Sequence, residues 1–169
     1  MNGKTTGDGE SALSASVDRL TTDGFVILHD LCDEEMVTSI LDVSRRRSRT
    51  IRNALGKREI GIGSAAGFLE IVQRSPGRRD VPISPQEFNV DDRQMPWWPL
   101  IAAVLGDDAE HSFSGVVSSE PDSPAQFWHT DSPHISREHC GAHAINVLVA
   151  LHDIPLEMGP TECACGSHV

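Results

Sequence analysis

The chain reads as mainly β with flanking helices, an α+β domain, and three kinds of segment predict this. His111 to Ser118 alternates with the period of two that marks a half-buried strand, and the strand read over Ala125 to Asp131 sets Phe127, His129 and Asp131 on one face. Ala144 to Leu151 is a nearly continuous apolar run, as in a strand covered on both faces. Asp33 to Arg49 carries instead the i, i+3/i+4 stripe of an amphipathic helix. A length of 169 residues predicts one domain, and 38% hydrophobic content supports a modest core.

The elements follow in order. Met1 to Leu13 is rich in Gly, Ser and Thr without an apolar period, which predicts a disordered polar tail over 1–13 and a domain over 14–169. Ser14 or Ser16 is placed to cap a short helix through Leu20, and Asp23-Gly24 breaks it before a strand over Phe25 to Leu28. Asp33 is the N-cap of the next helix, with Met36, Val37, Ile40, Leu41 and Ser44 on its inner stripe. Gly56 to Gly67 holds four glycines but lacks dinucleotide or P-loop spacing, so it reads as a flexible loop at a pocket mouth.

Phe68 to Gln73 has strand character, with a turn at Ser75-Pro76-Gly77. Pro-Trp-Trp-Pro at 96 to 99 opens a helix over Leu100 to Leu105 that stops at Gly106-Asp107, with Trp97 and Trp98 as packing residues. The strand His111 to Ser118 sets Phe113, Gly115 and Val117 against Ser112, Ser114 and Ser118. Ser119 to Pro124 turns the chain into Ala125 to Asp131.

Charge narrows the function. A net charge of −11, from 25 acidic and 14 basic residues, argues against nucleic acid or an anionic membrane as partner. Seven bases nonetheless lie between Arg45 and Arg58. Cations favour the C-terminal end and solvated face of a helix, while a phosphate-binding patch is the alternative. Cys32, Cys140 and the tight pair Cys163 and Cys165 lack zinc-knuckle spacing and read as free thiols of a reducing compartment. With no signal peptide or apolar span, a cytoplasmic location is expected.

The segment Gln126-Phe127-Trp128-His129-Thr130-Asp131 carries the chemistry. On a strand, His129 and Asp131 share a face, so an imidazole and a carboxylate converge on one point. Such a pair supplies two donors of a 2-His-1-carboxylate Fe(II) centre and needs one more histidine. The same period puts Phe127 on the metal face as a pocket wall and Gln126 on the other.

Around this motif stand the apolar run Ala144 to Leu151, the turn Gly159-Pro160-Thr161 and the segment Gly166-Ser167-His168. In that order the segments resemble the phytanoyl-CoA dioxygenase family of Fe(II)- and 2-oxoglutarate-dependent oxygenases. Upstream, Asp23 to Leu28 and Glu70 to Arg78 extend the resemblance to about residues 16 to 169. Cys165 departs from it, standing where the family has proline.

The resemblance implies a double-stranded β-helix, that is, a cupin-like jelly roll. It also implies iron on His129 and Asp131, 2-oxoglutarate as cosubstrate and hydroxylation of a small organic or acyl substrate. Gln126 is implied near the cosubstrate, and Thr161 is placed to orient the site through its hydroxyl. In the family the second iron histidine and the arginine that pairs with 2-oxoglutarate follow the Gly-Ser-His segment. The expectation is therefore an N-terminal portion of the domain, incomplete at its C-terminus, whose uncovered sheet edges favour self-association.

Other histidines offer different third ligands. His134, His139 and His143 follow too soon after Asp131 to reach an opposite sheet, and His152 closes the next strand. His168 is spaced for a crossover but belongs by resemblance to the turn before the ligand strand. Two alternatives stand beside the oxygenase. One is a non-catalytic remnant acting as a binding module. The other is a cupin-type metal protein using zinc or manganese on His129, Asp131 and either His143 or His168.

Overall fold

A computed structural model of the chain describes residues 6–55, 72–84, 87, 92–131 and 141–168. The first helix, α1, spans Thr6–Asp23. It begins well before the cap expected at Ser14 or Ser16 and takes in Thr6 to Leu13, part of the segment read as a tail. Ser16 does not cap: its hydroxyl donates back to the Ala12 carbonyl at 2.9 Å, as that of Thr21 does to Val17 at 2.9 Å. Such i−4 bonds let hydroxyl residues sit inside a helix rather than at its start.

α1 ends where Asp23-Gly24 was expected to break it. Gly24 takes a left-handed φ of 83° and donates its N–H to the Leu20 carbonyl at 3.0 Å. The C-terminal segment closes over this end. Gly166 N–H donates to the Asp23 carbonyl at 2.8 Å, and His168 Nε2 lies 3.1 Å from the Thr21 carbonyl oxygen. The strand expected at Phe25 to Leu28 does not form: no ladder partner lies beside it among the described residues, and Ile27 is exposed.

α2 spans Glu34–Leu55. Its start was legible: Asp33 Oδ1 accepts the Met36 N–H at 2.7 Å, and Glu34 and Glu35 occupy the first turn, where the helix dipole favours anions. The predicted stripe is half-buried from Met36 to Leu41 and buried at Ser44. The helix outlasts the expected end at Arg49 because Ile51, at the next return of the stripe, is also buried. Arg45 and Arg46 face solvent, whereas Arg47 is half-buried. The glycine-rich stretch 56–67 lies outside the described residues.

Three strands form one antiparallel sheet in the order β1 (Val72–Ser75), β2 (Arg78–Pro82), β3 (Gly115–Ser119). Only the last two residues of the expected strand Phe68 to Gln73 fall in β1, the others lying outside the described residues. The turn at Pro76-Gly77 joins β1 to β2, with Gly77 at φ 75° in the position that a Pro-Gly turn reserves for glycine. A single turn of 3-10 helix at Asp92–Gln94 and then α3 (Trp98–Leu105) connect β2 to β3. Pro99 occupies the first turn of α3, where its missing N–H costs nothing, and Gly106 ends the helix. Trp97 and Trp98 are half-buried, as packing residues should be.

β3 begins later than expected and shows the opposite face to the interior. Phe113 and Val117 are exposed, while Val116 and Ser118 are half-buried. The cause is register: Val116 pairs directly with Val81, which is 2% exposed, and residues opposite one another share a face. The core gathers Val43 and Ile51 of α2, Val81 and Ile83 at the end of β2, Met95, and Leu100 and Ile101 of α3. α1 packs on α3.

The described residues thus show helices and a small sheet rather than a complete jelly roll. Ala125 to Asp131 and Ala144 to Leu151 are not strands. In the second, Ile145, Val149 and Leu151 are half-buried, but Val147 between them is exposed like Asn146 and Leu148, so its burial keeps no strict period of two. Among the described residues no backbone pairs with it, and a lone strand has no ladder to stabilise it.

The Gly24 contact yields a prediction. A Cβ there would stand 2.4 Å from His168 Nδ1, and the positive φ adds its own strain. Gly24→Ala is expected to cost at least about 1–2 kcal/mol in urea unfolding. Adding His168→Ala should recover the steric part and leave the backbone part.

Candidate metal centre

β2 holds the approach to the motif. Arg78 donates to the side-chain oxygen of Gln126, and Arg79 pairs with Glu120, both side chains projecting from consecutive residues of one strand. The Glu120 N–H also donates to the Gly77 carbonyl at 3.0 Å, and Ser123 N–H to the Glu120 carbonyl at 3.2 Å. The turn expected over Ser119 to Pro124 is therefore tied to the β1–β2 turn, with Asp122 in the left-handed region at φ 66°. Arg79 holds the Glu120 carboxyl below its ordinary pKa through the hydrogen bond they share, against a smaller opposing effect of burial.

Beyond this anchor His129 and Asp131 do converge, although not on a strand. His129 Nε2 and Asp131 Oδ1 stand 3.2 Å apart, with both side chains about half exposed. His129 Nδ1 lies 2.7 Å from the Phe127 carbonyl oxygen. A carbonyl only accepts, so Nδ1 carries the proton and, in the neutral ring, the Nε2 lone pair faces Asp131. A metal ion placed between them would take a lone pair from each.

Asp131 is held in turn by Asn146, whose side-chain amide donates to Oδ2 at 2.8 Å. Each donor of the pair thus has a supporting hydrogen bond on its far side, the arrangement that orients metal ligands. A separation of 3.2 Å matches two adjacent donors, each about 2.1 Å from one first-row ion. The pair fits Fe(II) in donor type and spacing.

The other expected residues fare differently. Phe127 is 95% exposed rather than packed as a pocket wall, since outside a strand the alternation no longer fixes its direction. Gln126 is turned to Arg78 on β2. Thr161 is exposed and forms no hydrogen bond to His129 or Asp131 among the described residues. No third His, Cys, Asp or Glu joins the pair among the described residues.

His168 is engaged with the end of α1, and His152 Nδ1 lies 2.7 Å from the Asp153 carbonyl oxygen. His143 is exposed, and His134 and His139 fall outside the described residues. Cys32, Cys163 and Cys165 are free thiols, and burial followed by the charge of Asp33 raises the pKa of Cys32. Cys140 falls outside the described residues.

Two residues escaped the sequence reading. Asn146 is the single amide in an otherwise apolar run, and a lone polar group in such a run signals a hydrogen-bond partner elsewhere. Arg78 carried no such signal, because its partner is set by the sheet register. No helix among the described residues is long and apolar enough to cross a membrane.

The family model for phytanoyl-CoA dioxygenase (PhyH) matches residues 20–169. No curated protein and no solved structure matches the chain.

The Glu120 anchor is testable through pH. A carboxylate with a lowered folded pKa contributes stability above its unfolded pKa, near 4.5, and loses it as pH falls through the folded value. Because the pair is partly exposed, Glu120→Gln should cost only about 0.2–1 kcal/mol at pH 7 in urea unfolding. The difference from the native chain should shrink as pH falls below 4.5 and vanish once the folded carboxyl is protonated.

Proposed function

Since the chain belongs to the phytanoyl-CoA dioxygenase family, a jelly-roll family of Fe(II)- and 2-oxoglutarate-dependent oxygenases, we propose that His129 and Asp131 are two of its iron ligands. The observation that carries this reading is the 3.2 Å convergence of Nε2 and Oδ1, each donor braced from behind. The bound iron with 2-oxoglutarate supplies the oxidising power that hydroxylates an unactivated C–H bond of a small organic or acyl substrate.

The chain's own residues supply placement. The Phe127 carbonyl fixes the imidazole tautomer, so that Nε2 keeps its lone pair for the metal. Asn146 fixes the carboxylate rotamer and leaves Oδ1 as the coordinating oxygen. Arg78, through Gln126, and Arg79, through Glu120, hold the chain that leads into the motif. The third ligand of a facial triad is a further histidine outside this pair.

Metal binding tests the reading without turnover. Anaerobic calorimetric titration with Fe(II) should show binding that His129→Ala and Asp131→Ala each abolish. Asn146→Ala should weaken it about 10- to 100-fold, as loss of a supporting hydrogen bond does. Binding unchanged by His129→Ala would overturn the assignment. Adding 2-oxoglutarate should then produce the weak visible charge-transfer band of chelated cosubstrate.

A second reading is a non-catalytic chain that associates with copies of itself. The exposure of Phe127 (95%), Leu156 (86%), Trp128 (69%) and Leu148 (68%) favours it, because apolar side chains in such numbers are seldom left in water. Sedimentation velocity over a tenfold concentration range should show a rising average mass, and a constant monomer mass would remove this reading.

A further inference from the structure

A cavity of about 730 Å³ opens between α2, the end of β2, the start of α3 and the segment before β3. It is lined by none of His129, Asp131, Gln126 or Thr161. On one side stands Arg47. Its Nε is sealed from solvent and has no hydrogen-bond partner among the described residues. A buried N–H left without a partner costs free energy, and the guanidinium that carries it is a charge an anion can pair with.

The remaining lining mixes polar groups, among them Ser84, His111 and Ser112, with a smaller apolar part. Pro82 and Ile83 close one wall, with Ile83 2% exposed. Trp98 and Phe113 supply ring surface, and Phe113 is 64% exposed. The Arg93 guanidinium lies 5.6 Å from the Trp98 ring centroid, a cation–π contact. Among the described residues two carboxylates line the cavity with the two arginines. Glu87 accepts the Ser84 N–H at 3.1 Å, and Glu110 is exposed.

We propose that this cavity binds a small aromatic monocarboxylate, with the carboxylate on Arg47 and the ring against Trp98 and Phe113. Arginine suits this role because its planar fork matches a carboxylate. The two acids set the charge limit: a polyanion meets Glu87 and Glu110 as well as Arg47, whereas a single carboxylate is placed on Arg47 alone. The Trp98 and Phe113 rings offer an aromatic body a surface to stack on, and the polar groups around them leave room for one charged end.

The experiment is calorimetric titration of the metal-free full chain with phenylacetate, with neutral phenylacetamide as its near-isosteric control. Phenylacetate should bind at least about tenfold tighter than the amide, the least expected of one desolvated charge-assisted contact. Arg47→Gln should remove that preference and Arg47→Lys should keep part of it. Arg46→Gln, on the solvent face of the same helix, should leave binding within about twofold and so controls for net charge. Equal binding of acid and amide, no binding of either, or an unchanged preference in Arg47→Gln would overturn the proposal. If Arg47→Gln fails to fold, the acid–amide comparison on the native chain and the rim variant Ser112→Asp still decide it, since added negative charge must weaken the acid alone.

Discussion

The central strand β2 is the constraint on which the candidate metal centre depends. It pairs with β1 on one side and β3 on the other, and at its far end Val81 and Ile83 are nearly sealed in the core. Buried apolar residues fix register, because a slip of one residue would turn them to solvent. Once register is fixed, Arg78 and Arg79 have fixed origins. These two side chains hold the segment from Glu120 to Gln126, and that segment delivers His129. The path from core packing to the proposed metal donors therefore runs through a hairpin and two polar contacts.

The same constraint explains the inverted face of β3. Sequence alternation shows that one face of a strand is buried, but it gives no sign where both faces carry comparable residues. Phe113 and Val117 compete there with Val116. The pairing of Val116 with the buried Val81 decides the matter, and Phe113 is left to line the cavity beside Arg47. Likewise Arg45, Arg46 and Arg47 are three like charges in sequence, yet the helix turns two to water and brings one to the cavity wall.

Asn146 shows how two segments cooperate without a ladder. Neither Ala125 to Asp131 nor Ala144 to Leu151 pairs as a strand, yet one amide from the second steadies the carboxylate of the first. A side-chain hydrogen bond needs only two groups in reach, whereas a ladder needs successive backbone groups in register. The proposed metal pair is accordingly oriented although the described residues form only a small sheet.

Local chemistry was legible in the sequence. Asp33 as a cap, Gly24, Gly77 and Gly106 as stops or turns, the stripe of α2 and the pairing of His129 with Asp131 follow from residues near one another in the chain, where short-range sterics and hydrogen bonds dominate. What the tertiary structure alone decided lies at long range. It placed His168 on the end of α1, Gln126 on Arg78, Asn146 on Asp131 and Val116 rather than Val117 toward the core. Each of these depends on which backbone comes alongside which, and pairing across tens of residues is set by core packing and strand register rather than by local propensity.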